Sequence, residues 1–158
     1  MATEPDPSEI PAMLRGARGA YANTIAARLA AAGFDDLPRN GPFVLGGMAN
    51  HGDSAVDMIR GLGVSRQAAS QLIDVLVLRG YLDRQNNPDD RRRMDIELTE
   101  RGRAAAAVIR AAVEQVHGRL VTKISPAELA GLRAGLAALA AIKQETQGDR
   151  DPKDPELP

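Results

Sequence analysis

Two short runs in this chain hold most of its chemical potential. In the first, Ser65-Arg66-Gln67-Ala68-Ala69-Ser70-Gln71, a guanidinium, two carboxamides and two hydroxyls fall within about two helical turns. In the second, Asn87-Pro88-Asp89-Asp90-Arg91-Arg92-Arg93, three consecutive arginines follow a turn rich in proline and aspartate. The chemistry on offer is hydrogen bonding to phosphate and to base edges. Arginine's planar fork fits phosphate or guanine, glutamine pairs with adenine, and serine serves phosphate or either base. On a helix Arg66, Gln67, Ser70 and Gln71 share one outward face, beside Asp74. In the second run Asp90 can accept from one guanidinium and hold Arg92 extended toward a groove, with Arg91 and Arg93 on either side. Each run alone has a plainer reading, as a solvated helix face or a self-paired polar loop. Together they describe a helix for the major groove and an arginine-tipped loop for the minor groove or its bordering phosphates.

The flanking residues predict what positions these runs. Ser65 is a natural N-cap for a helix from Arg66 to about Arg79, stopped by Gly80, with Ala69, Leu72, Ile73 and Leu76 as its buried stripe. Ser54-Ala55-Val56-Asp57 reads as a capping box opening a preceding helix that ends near Gly61, and Gly63 permits the turn between the two. After Gly80, Tyr81–Gln85 and Met94–Thr99 are strand-like, and Met94, Ile96 and Leu98 alternate with Asp95, Glu97 and Thr99. The prediction is a winged helix-turn-helix spanning 42–99, with its two-stranded β wing at 81–99.

Helices flank this lobe on both sides, so the expected fold class is mostly α. Ile10, Met13, Leu14, Ala17, Tyr21, Ile25, Leu29 and Ala32 recur at helical spacing, giving a helix within 9–33 that Gly33 stops. A short helix is expected over about Pro42–Ala49. Another should run from about Glu100 to Val121, with Ala105, Val108, Ile109, Ala112, Val113, Val116 and Leu120 in one stripe. Ser125-Pro126-Ala127-Glu128 starts a last helix that reaches about Gln144 and bears Leu129, Leu132, Leu136, Leu139 and Ile142. A small winged lobe cannot bury all of these stripes. The helices at 9–33 and 100–145 are therefore expected to dimerise, and the polar, proline-rich ends, 1–8 and 147–158, to be disordered.

Composition narrows the chemistry. The chain has 158 residues and a net charge of −1, yet from Arg60 to Arg103 nine arginines face seven carboxylates, a net of 9 − 7 = +2. With no cysteine there is no disulfide, zinc–thiolate site or thiol-based sensing. The two histidines, His51 and His117, sit in no ligand-spaced cluster, and no phosphate loop, dinucleotide fingerprint or nucleophile elbow is present. The reading is a non-enzyme without metal or cofactor. With no apolar run long enough to span a bilayer and no basic–apolar leader, a cytoplasmic location away from membranes is expected.

Gly63-Val64-Ser65-Arg66-Gln67-Ala68-Ala69-Ser70 with Leu72, then Arg79-Gly80-Tyr81-Leu82, then Pro88-Asp89-Asp90-Arg91-Arg92-Arg93 and Leu98-Thr99-Glu100-Arg101-Gly102, resemble the MarR (multiple antibiotic resistance regulator) family. The wing is the specific part: Asp90 stands two residues before Arg92, with Leu98-Thr99 beyond. Asn87 replaces a common aspartate, and Val75, Val77 and Leu78 are apolar where charge is usual. The resemblance implies a transcriptional regulator, most simply a ligand-responsive repressor, whose homodimer binds a pseudopalindromic double-stranded operator. It implies DNA contacts by Ser65, Arg66, Gln67, Ser70, Gln71 and Asp90–Arg93. It also implies a small phenolic or aromatic-acid effector, for which Tyr21, Met48, His51 and Met58 are candidate pocket neighbours; buried packing is the plainer role for such residues. The rival reading is a winged-helix module that docks on protein without reading DNA.

Overall fold

A computed structural model describes residues 6–51, 54, 55, 58, 59, 64–86 and 94–148 of the chain. Helices α1 (Glu9–Ala31), α2 (Gly41–His51) and α3 (Arg66–Leu78) precede a ribbon of β1 (Leu82–Asn86) and β2 (Met94–Leu98); α4 (Glu100–Val121) and α5 (Pro126–Gly148) follow. This is the mostly α fold with a two-stranded wing that hydrophobic periodicity predicts. Between α2 and α3, Ala55, Met58 and Ile59 are helical, and the Met58 amide donates to the Ser54 carbonyl at 3.0 Å. Asp57, Gly61 and Gly63, on which other expectations for this stretch rest, lie outside the described residues.

The chain forms two compact units, one through Val116 and one from His117. In the first, Leu29 of α1, Val44 and Leu45 of α2, Ala55, Ile59, Ile73 and Leu76 of α3, Tyr81, Leu82, and Ala105, Ala106 and Ile109 of α4 bury one another. The first turns of α4 thus share one core with the winged elements. Their alanines let a helix backbone approach closely, an arrangement suited to a chain so poor in aromatics. Arg28 of α1 also donates to the Gln115 carboxamide oxygen, from Nε at 3.0 Å and Nη2 at 2.8 Å.

Two left-handed glycines end helices in the same way. Gly33 (φ 80°) and Gly80 (φ 73°) each follow a helix C-cap. The amides of Gly33 and Phe34 reach back to Ala30 and Leu29, and those of Gly80 and Tyr81 to Val77 and Leu76. Both are Schellman ends, and in both the next residue is an aromatic that packs on the core. Helix α2 runs slightly beyond the expected Pro42–Ala49 despite Gly46 and Gly47. Gly47 is where the Met58 side chain presses in, so its lack of a side chain serves packing there.

The turn from wing to α4 is the tightest junction. The Thr99 amide donates to the Tyr81 carbonyl at 3.1 Å, and the Thr99 hydroxyl donates to the Gly80 carbonyl at 2.6 Å. The same hydroxyl accepts from the Gly102 amide at 3.0 Å and so caps α4. Gly102 lies directly against the Tyr81 carbonyl, so a Cβ at this position would overlap that oxygen.

In the second unit, Ser125 and Glu128 form the predicted capping box. The Ser125 amide and hydroxyl each donate to Glu128 Oε2 at 2.8 Å, which holds the Glu128 carboxyl below its ordinary value, and the Glu128 amide donates to Ser125 Oγ at 3.3 Å. Helix α5 continues to Gly148, past the predicted end near Gln144 and into the first residues of the expected tail. Its Leu132, Leu136, Leu139 and Ile142 are exposed, as are Ile10, Met13 and Leu14 of α1.

The Gly102 contact makes a sharp contrast within one helix. Gly102→Ala should lower unfolding stability by about 1–3 kcal/mol, because backbone must move to admit the methyl. Gly118→Ala, with open space around that position, should leave stability unchanged or raise it by up to about 1 kcal/mol. Urea unfolding of both variants checks the pair of outcomes.

Candidate nucleic-acid interface

Ser65 has extended backbone (φ −62°, ψ 157°) and accepts the Ala68 amide on its hydroxyl at 3.2 Å, which fixes the first turn of α3. Its hydroxyl proton remains available to a phosphate. Behind the cap, Ile73 and Leu76 are buried and Ala69 and Leu72 partly so, while Arg66, Gln67, Ser70, Gln71 and Asp74 are exposed. Every predicted contact residue on this helix therefore faces outward from one surface. An α-helix with its side chains is about 10–12 Å across, matching a major groove about 12 Å wide. The predicted wing-tip residues Asp90, Arg91, Arg92 and Arg93 lie outside the described residues.

The root of the wing is described, and its register sorts its side chains. Leu82 pairs with Leu98 and Arg84 with Ile96, so these four share one face; Asp83 pairs with Glu97 and Gln85 with Asp95 on the other. The first face packs on the core through Leu82, Ile96 and Leu98. At its outer end Arg84 reaches α3, where its guanidinium donates to the Asp74 carboxylate. The second face is acidic, and Asp83 accepts from the Arg84 amide at 2.8 Å and from the Gln85 carboxamide at 2.6 Å. The sequence reading put Asp74 on the polar side of α3 and assigned Arg84 no role. Strand alternation alone, by pairing Arg84 with the face of Leu82, was the signal for it.

A second cluster anchors the ribbon from behind. Tyr81 is fully buried, and its hydroxyl donates to Asp36 Oδ1 in the segment between α1 and α2. Arg101 of α4 donates to Asp36 Oδ1 at 3.0 Å and to the Arg79 carbonyl at 2.6 Å, and its guanidinium lies 4.4 Å from the Tyr81 ring centroid. With Thr99 on the Gly80 carbonyl, this gives partners to the two carbonyls that follow α3, those of Arg79 and Gly80. The Tyr81 hydrogen bond, reinforced by the charge of Arg101, holds the Asp36 carboxyl below its ordinary value. Burial first, and then the bond to Asp36, push the Tyr81 hydroxyl up to about 12. Asp36, Arg101 and Gly102 went unassigned in the sequence because their partners are distant in the chain.

Of the candidate pocket residues, Met48 packs against the core, Met58 lies against Gly47, and Tyr21 is half-buried on α1. The side chain of His51 lies outside the described residues. Among the described residues no group of three or more histidines or carboxylates gathers as a metal site, and no helix is long and apolar enough to cross a membrane.

Comparison with known proteins follows these elements. A family model described as MarR family matches residues 35–93, a stretch that includes Asp36 and Tyr81 of the anchor and all of α3. An uncharacterized protein of Mycobacterium tuberculosis (strain ATCC 25618 / H37Rv) is 34% identical over 87 residues, covering 54% of this chain and 61% of that protein. The match thus spans about three fifths of the length of the curated relative. Among solved structures, Streptococcus pneumoniae FabT in complex with DNA aligns with a TM-score of 0.74 at 18% identity, covering 89% of this chain and 99% of that one. CouR from Rhodococcus jostii RHA1 bound to p-coumaroyl-CoA aligns with a TM-score of 0.66 at 25% identity, covering 83% and 91%.

The Tyr81 anchor has a pH signature. A carboxyl whose folded pKa is depressed stabilises the fold above its unfolded value, about 3.9, and loses that contribution as pH falls through the folded value. A phenol whose folded pKa is raised stabilises below about 10 and loses that contribution as pH rises toward about 12. Tyr81→Phe should therefore be less stable than wild type at neutral pH, with the gap narrowing at both extremes. Urea midpoints measured from about pH 2.5 to about pH 11 check the shape.

Proposed function

We propose that this winged-helix chain, which matches a MarR-family model over residues 35–93 and shares its fold with FabT, is a MarR-family sequence-specific transcriptional regulator acting on double-stranded DNA. The single observation that carries this reading is the outward face of α3, where Ser65, Arg66, Gln67, Ser70 and Gln71 stand together beside the root of a two-stranded ribbon. Arg66, Gln67 and Gln71 read base edges in the major groove, Ser65 and Ser70 hold phosphate, and Arg92, steadied by Asp90 and flanked by Arg91 and Arg93, enters the minor groove. The DNA in the FabT structure supports this use of the fold.

The working form in this reading is a homodimer. The exposed apolar residues of α1 and α5 are surfaces that a second copy covers, and a two-fold dimer sets half-sites about 34–36 Å apart on a pseudopalindromic operator. Its action is repression in the cytoplasm, relieved by a small phenolic or aromatic-acid effector; the p-coumaroyl-CoA bound to CouR supports that class. Protein docking is the competing use of the same lobe. One observation favours it: Leu78, at the end of α3, is 85% exposed.

A labelled duplex from the intergenic DNA beside the gene, titrated with the full chain across a salt series, tests the proposal by fluorescence anisotropy. Binding should survive random competitor DNA and weaken steeply with salt. Arg92→Ala should weaken it by at least about tenfold and reduce the salt slope by about one per wing, while stability changes by less than about 0.5 kcal/mol. Leu78→Glu should leave binding nearly intact. Binding that competitor removes equally well and that Arg92→Ala does not alter would overturn operator recognition at that site.

A further inference from the structure

We infer that the Asp74–Arg84 ion pair is a positioning clamp that sets the wing against the recognition helix. The inference deepens the DNA-binding reading above and rests on it. Three observations carry it. Leu82 and Arg84 share the core-facing side of β1 with their partners Leu98 and Ile96, so Arg84 extends that face outward beyond the apolar contacts. Its guanidinium meets Asp74 on the same strip of α3 as Gln67, Ser70 and Gln71, at positions three, four and seven residues apart. The pair therefore joins the recognition helix and the first strand of the ribbon directly.

The Arg84 amide and the Gln85 carboxamide both donate to Asp83, which adds a local brace on the opposite face of the strand. That opposite face carries the carboxylates of Asp83 and Glu97, which disfavour a phosphate close to the root. The root of the wing is therefore unsuited to lying along the DNA backbone, and the hairpin must approach tip first. A ribbon that works by its tip depends on its angle at the root. The clamp acts through that angle, and neither member touches DNA.

Charge alone predicts the reverse for one of the partners. Asp74 is an anion on a helix that approaches phosphates, so removing its charge should tighten binding by Coulomb's law. As a clamp, its loss should loosen the wing and weaken binding. Both side chains are partly exposed, 43% for Arg84 and 55% for Asp74, so the expected effect is modest, about two- to fivefold.

The test is a double-mutant cycle on the full chain with Asp74→Asn, Arg84→Gln, the double variant, and Arg84→Lys as the conservative rescue. Without DNA, amide hydrogen exchange across β1 and β2 should speed up equally in the two single variants, no further in the double, and recover partly with Arg84→Lys. On the operator duplex each single variant should bind about two- to fivefold more weakly with an unchanged salt slope, and the double no more weakly than either. Unchanged exchange in both single variants would overturn the clamp. So would tighter binding by Asp74→Asn together with a salt slope reduced by about one in Arg84→Gln, which would place Arg84 on a phosphate. A wild-type chain that binds no duplex refutes the operator reading instead, and the exchange comparison then decides the clamp by itself.

Discussion

The winged unit depends on a close approach of backbone to backbone, Gly102 against the Tyr81 carbonyl. Around that contact Thr99 links the end of α3, the first residue of the ribbon and the first turn of α4 through one hydroxyl and one amide. Arg101 closes the same junction from the other side by holding the Arg79 carbonyl and Asp36 while covering the Tyr81 ring. Carbonyls that a helix end leaves without partners are thereby turned into the mount for the wing. The placement of the ribbon against the end of α3 depends on this mount.

From this mount the two candidate recognition elements take their directions. The left-handed turn at Gly80 swings the chain from α3 into β1 and buries Tyr81 as it does so. Strand alternation then gives the ribbon a face packed on the core and an acidic face, with Arg84 at the outer end of the first. A net charge of −1 over the whole chain is compatible with nucleic-acid recognition, because the sequence from Arg60 to Arg103 carries a local excess of arginine over carboxylate.

Much of this was legible in the residues. Helical periodicity and the glycine stops located α1, α3 and α4 closely, and the Ser65 and Ser125 caps form as their sequences predict. The inward stripe of α3 and the pairing face of β2 followed from spacing alone. What spacing could not reveal were partners brought together by the fold: Asp36 with Tyr81 and Arg101, Asp74 with Arg84, Met58 with Gly47. Val77 looked anomalous as an apolar residue on a recognition helix and proves to pack against the core, whereas Leu78 is exposed. Gly47 shows the same limit, because a sequence carries its conformational freedom but not the Met58 side chain that fills the space its own would take.

The central claim is that the outward face of α3 reads base sequence. Selection of duplexes from a random pool by the full chain, followed by sequencing of the bound fraction, tests it most directly, with Gln67→Ala as the comparison. The account predicts enrichment of a two-fold symmetric site with half-sites about 10 base pairs apart, and a changed preference at a symmetric pair of positions in the variant. A bound fraction with the base composition of the starting pool, the same for both proteins, would contradict it.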